Sequence, residues 1–547
     1  MNQRVPVRNP LDLTDRFEQL LGIGVALSRE RNLDKLLEAI LLAAKEVTNA
    51  DGGTLYRMTD GRALKFEIVR NDTLGIAMGG TTGVKIPFPP LHLYNESGEK
   101  NLSMVAAWAV HNDKSVNIVD AYTEKGFDFT GTKNFDLKTG YRSQSFLTVP
   151  MKNHENEIIG VLQLINAKDG GSTGVRPFSD ADQRLAESLA SQAAIALTNR
   201  LLISHLENLF ESFISLINAA IDDKSPYTGG HCERVPELTM MLAEAVTKTQ
   251  VGPLKDFTMS ERDRYELRIA GLLHDCGKIT TPVHVVDKAT KLEAIFDRVA
   301  LIDTRFEIVK RDLLIAALRA GKNETDLAAK FKEVDDDRAF VRHANIGGEF
   351  MRDEDVERVK RLAAKYRWTD PSGRESDFLS EDEVKNLTIR AGTLTADERQ
   401  IINHHIDLTI EMLEALPWPK HLTNVPEYAG GHHERMDGKG YPRGLTREQM
   451  SVQARCMGIA DIFEALTAKD RPYKKGKTLT ESLTILGKMK LGQHIDPDLF
   501  DVFMWEKVYE NYGKYFMAPE QIDEVDLSKI PGYVPPPNEQ GKSSPPK

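Results

Sequence analysis

The sequence has 547 residues, 41% of them apolar and 28% charged, which is too long for one ordinary core and implies two or more globular domains. Its 71 basic and 82 acidic residues give a net charge of −11, which argues against broad binding to a nucleic-acid polymer or an anionic membrane; any phosphate ligand needs a local cationic site. Three scattered cysteines, Cys232, Cys276 and Cys456, exclude a disulfide framework and a cysteine-type zinc site and fit a reducing cytosol.

In chain order, "MNQRVPVRNPLDLTDRF" lacks the apolar core of a signal peptide, and no apolar run approaches the roughly 18 residues of a membrane span, so a cytoplasmic protein is expected. "LTDRFEQLLGIGVALSRERNLDKLLEAILLAAKEVTNA" has apolar residues at three- and four-residue spacing and predicts two helices, with Asn32 and Asp34 as start signals for the second. From "GGTLYRM" the period shortens. "ALKFEIV", "SVNIVDA", "SFLTVPMK" and "EIIGVLQLINA" are short β-rich runs between Gly, Asn and Asp turns. Helical period then returns for a long stretch in which Leu185, Leu189, Ala193, Leu197, Leu201 and Leu209 form one stripe. Two packings fit it: against a twin in a parallel dimer, which the length favours, or against its own domain. After "DDKSPYTGG" nearly everything reads as helix, so the second half is expected to be all-α. The closing "PGYVPPPNEQGKSSPPK", residues 531–547, is expected to be disordered.

The helical half carries four separated polar clusters. They are "TGGHCERV" with His231; "GLLHDCGKIT" with His274, Asp275 and Lys278; "IINHHIDLT" with His404 and His405; and "GGHHERMDGKGYPRG" with His432, His433, Glu434 and Asp437, followed by "GIADIFEALTAKDRPYK" with Asp461. A lone histidine on a helix is commonly a surface or hydrogen-bonded residue. Asp275 and Asp461, however, each stand inside an otherwise apolar helical run. A buried carboxylate must be paired or bind a cation, and several histidines in the same fold point to a metal.

These motifs resemble the HD superfamily of metal-dependent phosphohydrolases, a helical bundle carrying His … His-Asp … Asp. More narrowly they resemble the HD-GYP family, through HDCGK at 274–278 and HHERMDGKGYP at 432–442, over residues from about 215 to 505. The resemblance implies metal ligation by His231, His274, Asp275, His405, His432, His433 and Asp461, with Asp275 bridging two metals. His405 rather than His404 fits the family's spacing from "GTLTADE". Asp275 and Lys278 would serve catalysis, Lys278 near the bridging water or a substrate phosphate, and Tyr441, Arg471 and Lys474 would hold the substrate. The family's substrate is cyclic di-GMP, opened to pGpG and in some members on to GMP, and its two or three divalent ions are typically iron or manganese. Glu434 and Asp437 are expected to orient ligands or hold the loop. Some members carry an extra glutamate for a third metal; Asp222 and Asp223 stand there instead, leaving two- and three-metal forms open. A second departure is an insertion of roughly a hundred residues, at 293–391, far longer than an ordinary loop and helical in period. His343 within it reads as a surface residue.

Residues 15–182 resemble a GAF domain, a small-molecule-binding α/β sensor, and "FDLKTGYRSQSFLTVPMKNHENEIIGVLQLINAKDGG…FSDADQ" is similar to the GAF domains of cyclic-nucleotide phosphodiesterases and cyclases. Asn166, Lys168, Phe178 and Asp182 approximate a signature that is mainly structural in that family, with Ala167 as an extra residue. The implied ligand is cAMP or cGMP; the alternative is a purely dimerising domain. With no cysteine in this half, covalent bilin attachment is excluded. The expected organisation is therefore multidomain: an α/β GAF sensor at 15–182, a long signalling helix at 183–218 pairing two copies as a homodimer, and an all-α HD-type bundle at 219–515. The rival functions are a cyclic-dinucleotide-binding scaffold without turnover and a phosphodiesterase for another cyclic dinucleotide. Intact HD and GYP motifs argue against the scaffold.

Overall fold

The computed structural model describes residues 13–30, 32–59, 62–169, 174–224, 230–321, 327–348, 350–469 and 476–537, with side chains from residue 21 onward. The chain divides into two compact units after Phe210.

In the first unit, helices α1 (Leu13–Arg29) and α2 (Leu33–Thr48) lead into strands β1 (Ala50–Thr59), β2 (Ala63–Asn71), β3 (Ile76–Gly79) and β4 (Leu91–His92). Helix α3 (Val105–Asn112), strand β5 (Val116–Ile118), helix α4 (Thr130–Thr139), strands β6 (Phe146–Lys152), β7 (Ile158–Lys168) and β8 (Val175–Arg176), and the first part of helix α5 (Asp180–Lys224) complete it. The start signal at Asn32 works as capping chemistry requires: its side chain accepts from the Lys35 amide at 3.0 Å. The strands form one antiparallel sheet in the order β3-β2-β1-β7-β6-β5, with β4 on β2 and β8 on β7.

Alternation along the strands divides the unit into two cores. Leu55, Leu162 and Leu164 face α2 and α5, where Leu36, Ile40 and Leu41 meet Leu189 and Ala193. Each fully buried leucine there is worth about 1.5–3 kcal/mol. Tyr56 and Val161, one position along, face the opposite side with α3. On that side lies a cavity of about 1080 Å³ walled by Tyr56, Phe66, Phe88, Phe129, Tyr141 and Phe146.

Both packings that the sequence leaves open for the long helix bear on α5. Its Ala186, Leu189, Ala190, Ala193, Ala194 and Leu197 are buried against their own unit, and Leu185 and Leu201 pack on the same core. Farther on, Leu202, Leu206, Leu209, Phe213 and Leu216 are 53–65% exposed, so Leu209 leaves the stripe and joins an apolar face with spacing four, three, four, three.

The second unit is helical. Helices α6 (His231–Lys248), α7 (Glu261–Leu273) and α8 (Val283–Val286) precede the insertion. The insertion holds α9 (Val299–Arg319), α10 (Ala328–Asn345), α11 (Asp353–Lys365), strands β9 (Arg367–Thr369) and β10 (Glu375–Asp377), and α12 (Glu381–Leu387). It has a core of its own, in which Phe306, Val334, Val359, Leu362 and Phe378 are buried together. The helical second half carries a short hairpin that its period did not show: Asp370 accepts from the Ser372 and Arg374 amides, and Gly373 sits at φ 80°, so turn chemistry at "DPSG" wins over helix locally.

Helices α13 (Ala396–Glu414), α14 (Val425–Gly430), α15 (Val452–Thr467), α16 (Leu479–Leu491), α17 (Pro497–Trp505) and α18 (Val508–Phe516) follow. The expected disordered tail starts too early at residue 531. The Gly532 carbonyl accepts from Lys490 at 2.8 Å and the Val534 carbonyl from the Trp505 indole at 2.7 Å, which ties this segment to α16 and α17. Residues 538–547 lie outside the described residues. Among the described residues no helix is long and apolar enough to cross a membrane.

Candidate metal centre

The four clusters, far apart in sequence, meet in the second unit. His231 opens α6; His274 and Asp275 end α7 and turn into a 3₁₀ segment, Cys276–Thr280, that carries Lys278; His405 stands mid-way along α13; His432 and His433 follow α14; Asp461 stands mid-way along α15. His274, Asp275, His405 and His432 are all no more than 3% exposed, and His231 is 8% exposed.

Asp275 divides these groups by its two oxygens. Oδ2 lies 3.1 Å from His231 Nε2 and 3.3 Å from His274 Nε2, while Oδ1 lies 3.3 Å from His405 Nε2 and 4.0 Å from His432 Nε2. His433 Nε2 is 3.2 Å from His405 Nε2, and Asp461 Oδ1 is 3.4 Å from His231 Nε2. Two clusters result, His231–His274–Asp275 and His405–His432–His433, each with potential ligand atoms within 4.8 Å of one another.

Backbone geometry fixes three of the imidazoles. His274, His405 and His432 each contact the carbonyl three residues upstream, of Gly271, Ile402 and Ala429, through Nδ1. With Nδ1–H donating there, Nε2 is the unprotonated nitrogen aimed inward. His274 Nε2, His432 Nε2 and Asp275 Oδ1 are buried and have no hydrogen-bond partner among the described residues. Three such orphans in one place are costly unless a cation satisfies them. Mixed imidazole and carboxylate donors suit iron, manganese or zinc, so the residues present fit a divalent metal centre.

The electrostatics favour the ligand forms of Asp275, Asp461, His432 and His433, while His231 is held toward its protonated form and would give up a proton to ligate. Burial raises the Asp275 pKa, but the charges of Lys278 and His274 and the His231 contact together hold it well below the usual range. Burial likewise opposes ionisation of Asp461, and the imidazoles of His231, His432 and His433 more than offset it. Burial, with neighbouring imidazoles, pushes His432 well down and His433 to about 4, leaving both neutral near pH 7. Burial lowers His231, yet Asp275, Asp461 and Glu464 raise it well above its ordinary value.

Glu464 is the residue that sequence reasoning missed. It is 1% exposed, contacts His231 Nδ1 at 2.5 Å and accepts from Arg234 Nε at 2.8 Å and Nη2 at 2.7 Å, so it turns His231 Nε2 toward the two aspartates. Its position three residues after Asp461, one helical turn along an apolar run, is the available signal.

Around the rim, the Tyr441 ring stacks on His433, with centroids 4.8 Å apart and planes at 23°; burial and the aspartates push its hydroxyl pKa up to about 12. Glu434 accepts from the Arg443 and Leu445 amides, and Asp437 from the Lys439 amide and the Arg435 guanidinium, so both tie down the loop. Gly440 lies where a Cβ would meet the backbone of Glu434 and Arg435. His404 faces outward to Asp407 at 3.0 Å, and His343 is exposed. Asp222 accepts from the Gly230 amide at 3.2 Å, just before α6, and both Asp222 and Asp223 line a cavity at the foot of α5. Arg471 and Lys474 lie outside the described residues.

In the first unit, Asn166 hydrogen-bonds the 141–145 segment, Lys168 pairs with Asp51, Phe178 is buried, and Asp182 accepts from Arg176 at 2.6 Å. None of the four lines the cavity.

Family models match the chain in three places. One described as a GAF domain covers residues 32–197, and two described as HD domains cover 228–364 and 381–499. Among curated proteins, the chain is similar to the 3'3'-cGAMP-specific phosphodiesterase 3 of Vibrio cholerae, at 24% identity over 322 residues, 59% of this chain and 43% of that protein. It is 36% identical over 153 residues to the cyclic di-GMP phosphodiesterase PA4108 of Pseudomonas aeruginosa, covering 26% of this chain and 35% of that one. It is 33% identical over 119 residues to the cyclic di-GMP phosphodiesterase response regulator RpfG of Xanthomonas campestris pv. campestris, covering 22% and 31%. The chain thus spans less than half the length of each of these relatives.

Proposed function

We propose that this chain, an HD-domain protein of the HD-GYP kind with an N-terminal GAF domain, is a metal-dependent phosphodiesterase that hydrolyses cyclic di-GMP to pGpG, GMP or both. The observation that carries this reading is Asp275, whose two oxygens face two different sets of imidazoles. His231, His274 and Asp461 would hold one divalent ion and His405, His432 and His433 a second, with Asp275 shared. Iron or manganese suits them best, and Asp222 or Asp223 stands near enough in sequence to serve a third.

When bound, the ions supply Lewis acidity toward the phosphodiester and toward the attacking water. The protein's own residues do the rest. Asp275 and Asp461 keep Lys278 charged despite burial, and its ammonium, bonded to Asp275, faces the place a phosphate oxygen takes. Tyr441, braced on His433, forms the lip against which a nucleotide lies. Arg471 and Lys474 are proposed to hold the substrate's phosphates and base.

Regulation is assigned to the GAF unit. Its cavity of about 1080 Å³, with aromatic walls, has room for a purine nucleotide, and cAMP or cGMP is the proposed effector. The exposed heptad-spaced face of α5 supports a homodimer in which two such helices run side by side. The three buried free cysteines fit a reducing cytoplasm.

A second substrate, 3'3'-cGAMP, is favoured by the relative that covers 59% of this chain. The test is anaerobic purification, metal counting, and chromatography of cyclic di-GMP and 3'3'-cGAMP with and without cAMP or cGMP. Conversion of cyclic di-GMP supports the proposal, and faster conversion of 3'3'-cGAMP moves the substrate assignment. Full metal with no conversion of either, effector present, leaves a binding module.

A further inference from the structure

At the edge of the insertion stands a buried cation that phosphodiester hydrolysis does not use. Lys291 is 3% exposed, and among the described residues its ammonium reaches only the Leu387 carbonyl at 3.3 Å and the Met351 sulfur at 3.4 Å. Among the described residues no carboxylate pairs with it. Lys288, three residues earlier, is the contrast: equally buried, it binds both Glu398 oxygens and the Asn386 carbonyl oxygen at 2.8 Å.

Lys291 lines a pocket of about 160 Å³ with Phe340, His343, Ile346, Phe350 and Met351. The charges at its rim are already engaged, Asp355 with Arg352 at 3.0 Å and Arg390 with Asp353 at 2.5 Å. An ammonium left in apolar surroundings without an anion is costly, and burial here pulls the lysine's pKa down. The pocket therefore offers one unneutralised positive charge at the edge of an aromatic and aliphatic wall. Its size decides the rest. A cavity of about 150 Å³ accommodates benzene, so a nucleotide is too large and a bare inorganic anion leaves the walls unfilled. We propose that this pocket binds a small monoanionic carboxylate with an apolar body of about benzene size, its carboxylate on Lys291 Nζ and its body between Phe340, Ile346 and Phe350. The site stands three residues from Lys288, whose partner Glu398 lies in the first turn of α13, the helix that carries His405.

The experiment uses the full chain with benzoate as probe and benzamide, its uncharged isostere, as control, each titrated calorimetrically at pH 7. In parallel, acetylation of individual lysines by N-hydroxysuccinimidyl acetate is read by mass spectrometry. Benzoate is expected to bind saturably and at least about tenfold more tightly than benzamide, and to slow labelling of Lys291 but not of exposed lysines. Lys291→Met is expected to abolish benzoate's advantage. Equal affinity for the two probes, or unchanged labelling of Lys291 at saturating benzoate, overturns the proposal. The labelling also separates this pocket from the GAF cavity, where an aromatic acid leaves Lys291 unprotected. Because both wild-type readouts stand without the variant, a Lys291→Met chain that fails to fold leaves the decision with them.

Discussion

Glu464 reaches no reacting atom, yet its short contact to His231 Nδ1 decides which way a proposed ligand points. Supporting carboxylates of this kind are typically worth about 10–100-fold in metal affinity or activity. Glu464→Gln keeps the shape and removes the charge. It is expected to lower kcat or metal retention by that factor with KM for cyclic di-GMP unchanged, and steady-state kinetics beside a metal count check it. The ligand candidates were legible because polar residues inside apolar helical runs stand out. Asp461 was picked out in this way, and the same logic one turn along would have found Glu464, but its partner Arg234, two hundred and thirty positions away, is visible only in the fold. Asp496 gives a residue-scale test of stability. Burial opposes its ionisation, but Arg447, Arg455 and the Leu499 amide hold its pKa below the ordinary 3.8. Its stabilisation is therefore complete above that value and is lost as pH falls below it through the folded-state pKa. Asp496→Asn is expected to lower stability at pH 7 and to flatten the fall in stability below about pH 4 in urea titrations.

At the scale of elements, the 3₁₀ turn after Asp275 is pressed against α13. A Cβ on Gly277 would collide with the His405 carbonyl and lie 2.7 Å from the Thr409 amide nitrogen, both backbone atoms that cannot swing aside. Gly277→Ala is expected to cost about 1–3 kcal/mol or more in denaturant unfolding and to lower metal retention with it. The insertion was legible as helical from its period, and its separate core follows from its length. The β9–β10 hairpin was not, because two three-residue strands carry no usable alternation. Helix α5 shows the limit of periodicity in another way. Apolar spacing marks a buried face but not what buries it, and here the first unit's core takes Leu185 and Leu201 while Leu202, Leu206, Leu209, Phe213 and Leu216 stay open. Leu209→Asp with Phe213→Asp is expected to shift the chain from dimer to monomer in sedimentation equilibrium. An unchanged mass would place any dimer contact elsewhere.

For the molecule as a whole, the α/β and helical halves could be told apart in the sequence because alternation of period two gives way to helical period near residue 180. Which four clusters meet could not be read from spacing, since His231 and Asp461 lie 230 positions apart and only the helical packing brings them to 3.4 Å. The resemblance to HD-GYP motifs bridged that gap, while the cavity facing α3 had no sequence signal beyond the GAF likeness. The central claim is that Asp275 joins two metal-binding sets in a centre that cuts a cyclic dinucleotide. The direct measurement is metal content and cyclic di-GMP turnover of Asp275→Ala beside the wild type, both purified without oxygen. Removing an oxygen from each set is expected to abolish turnover and to cost the variant at least one bound ion per chain. Full activity with full metal in Asp275→Ala would contradict it.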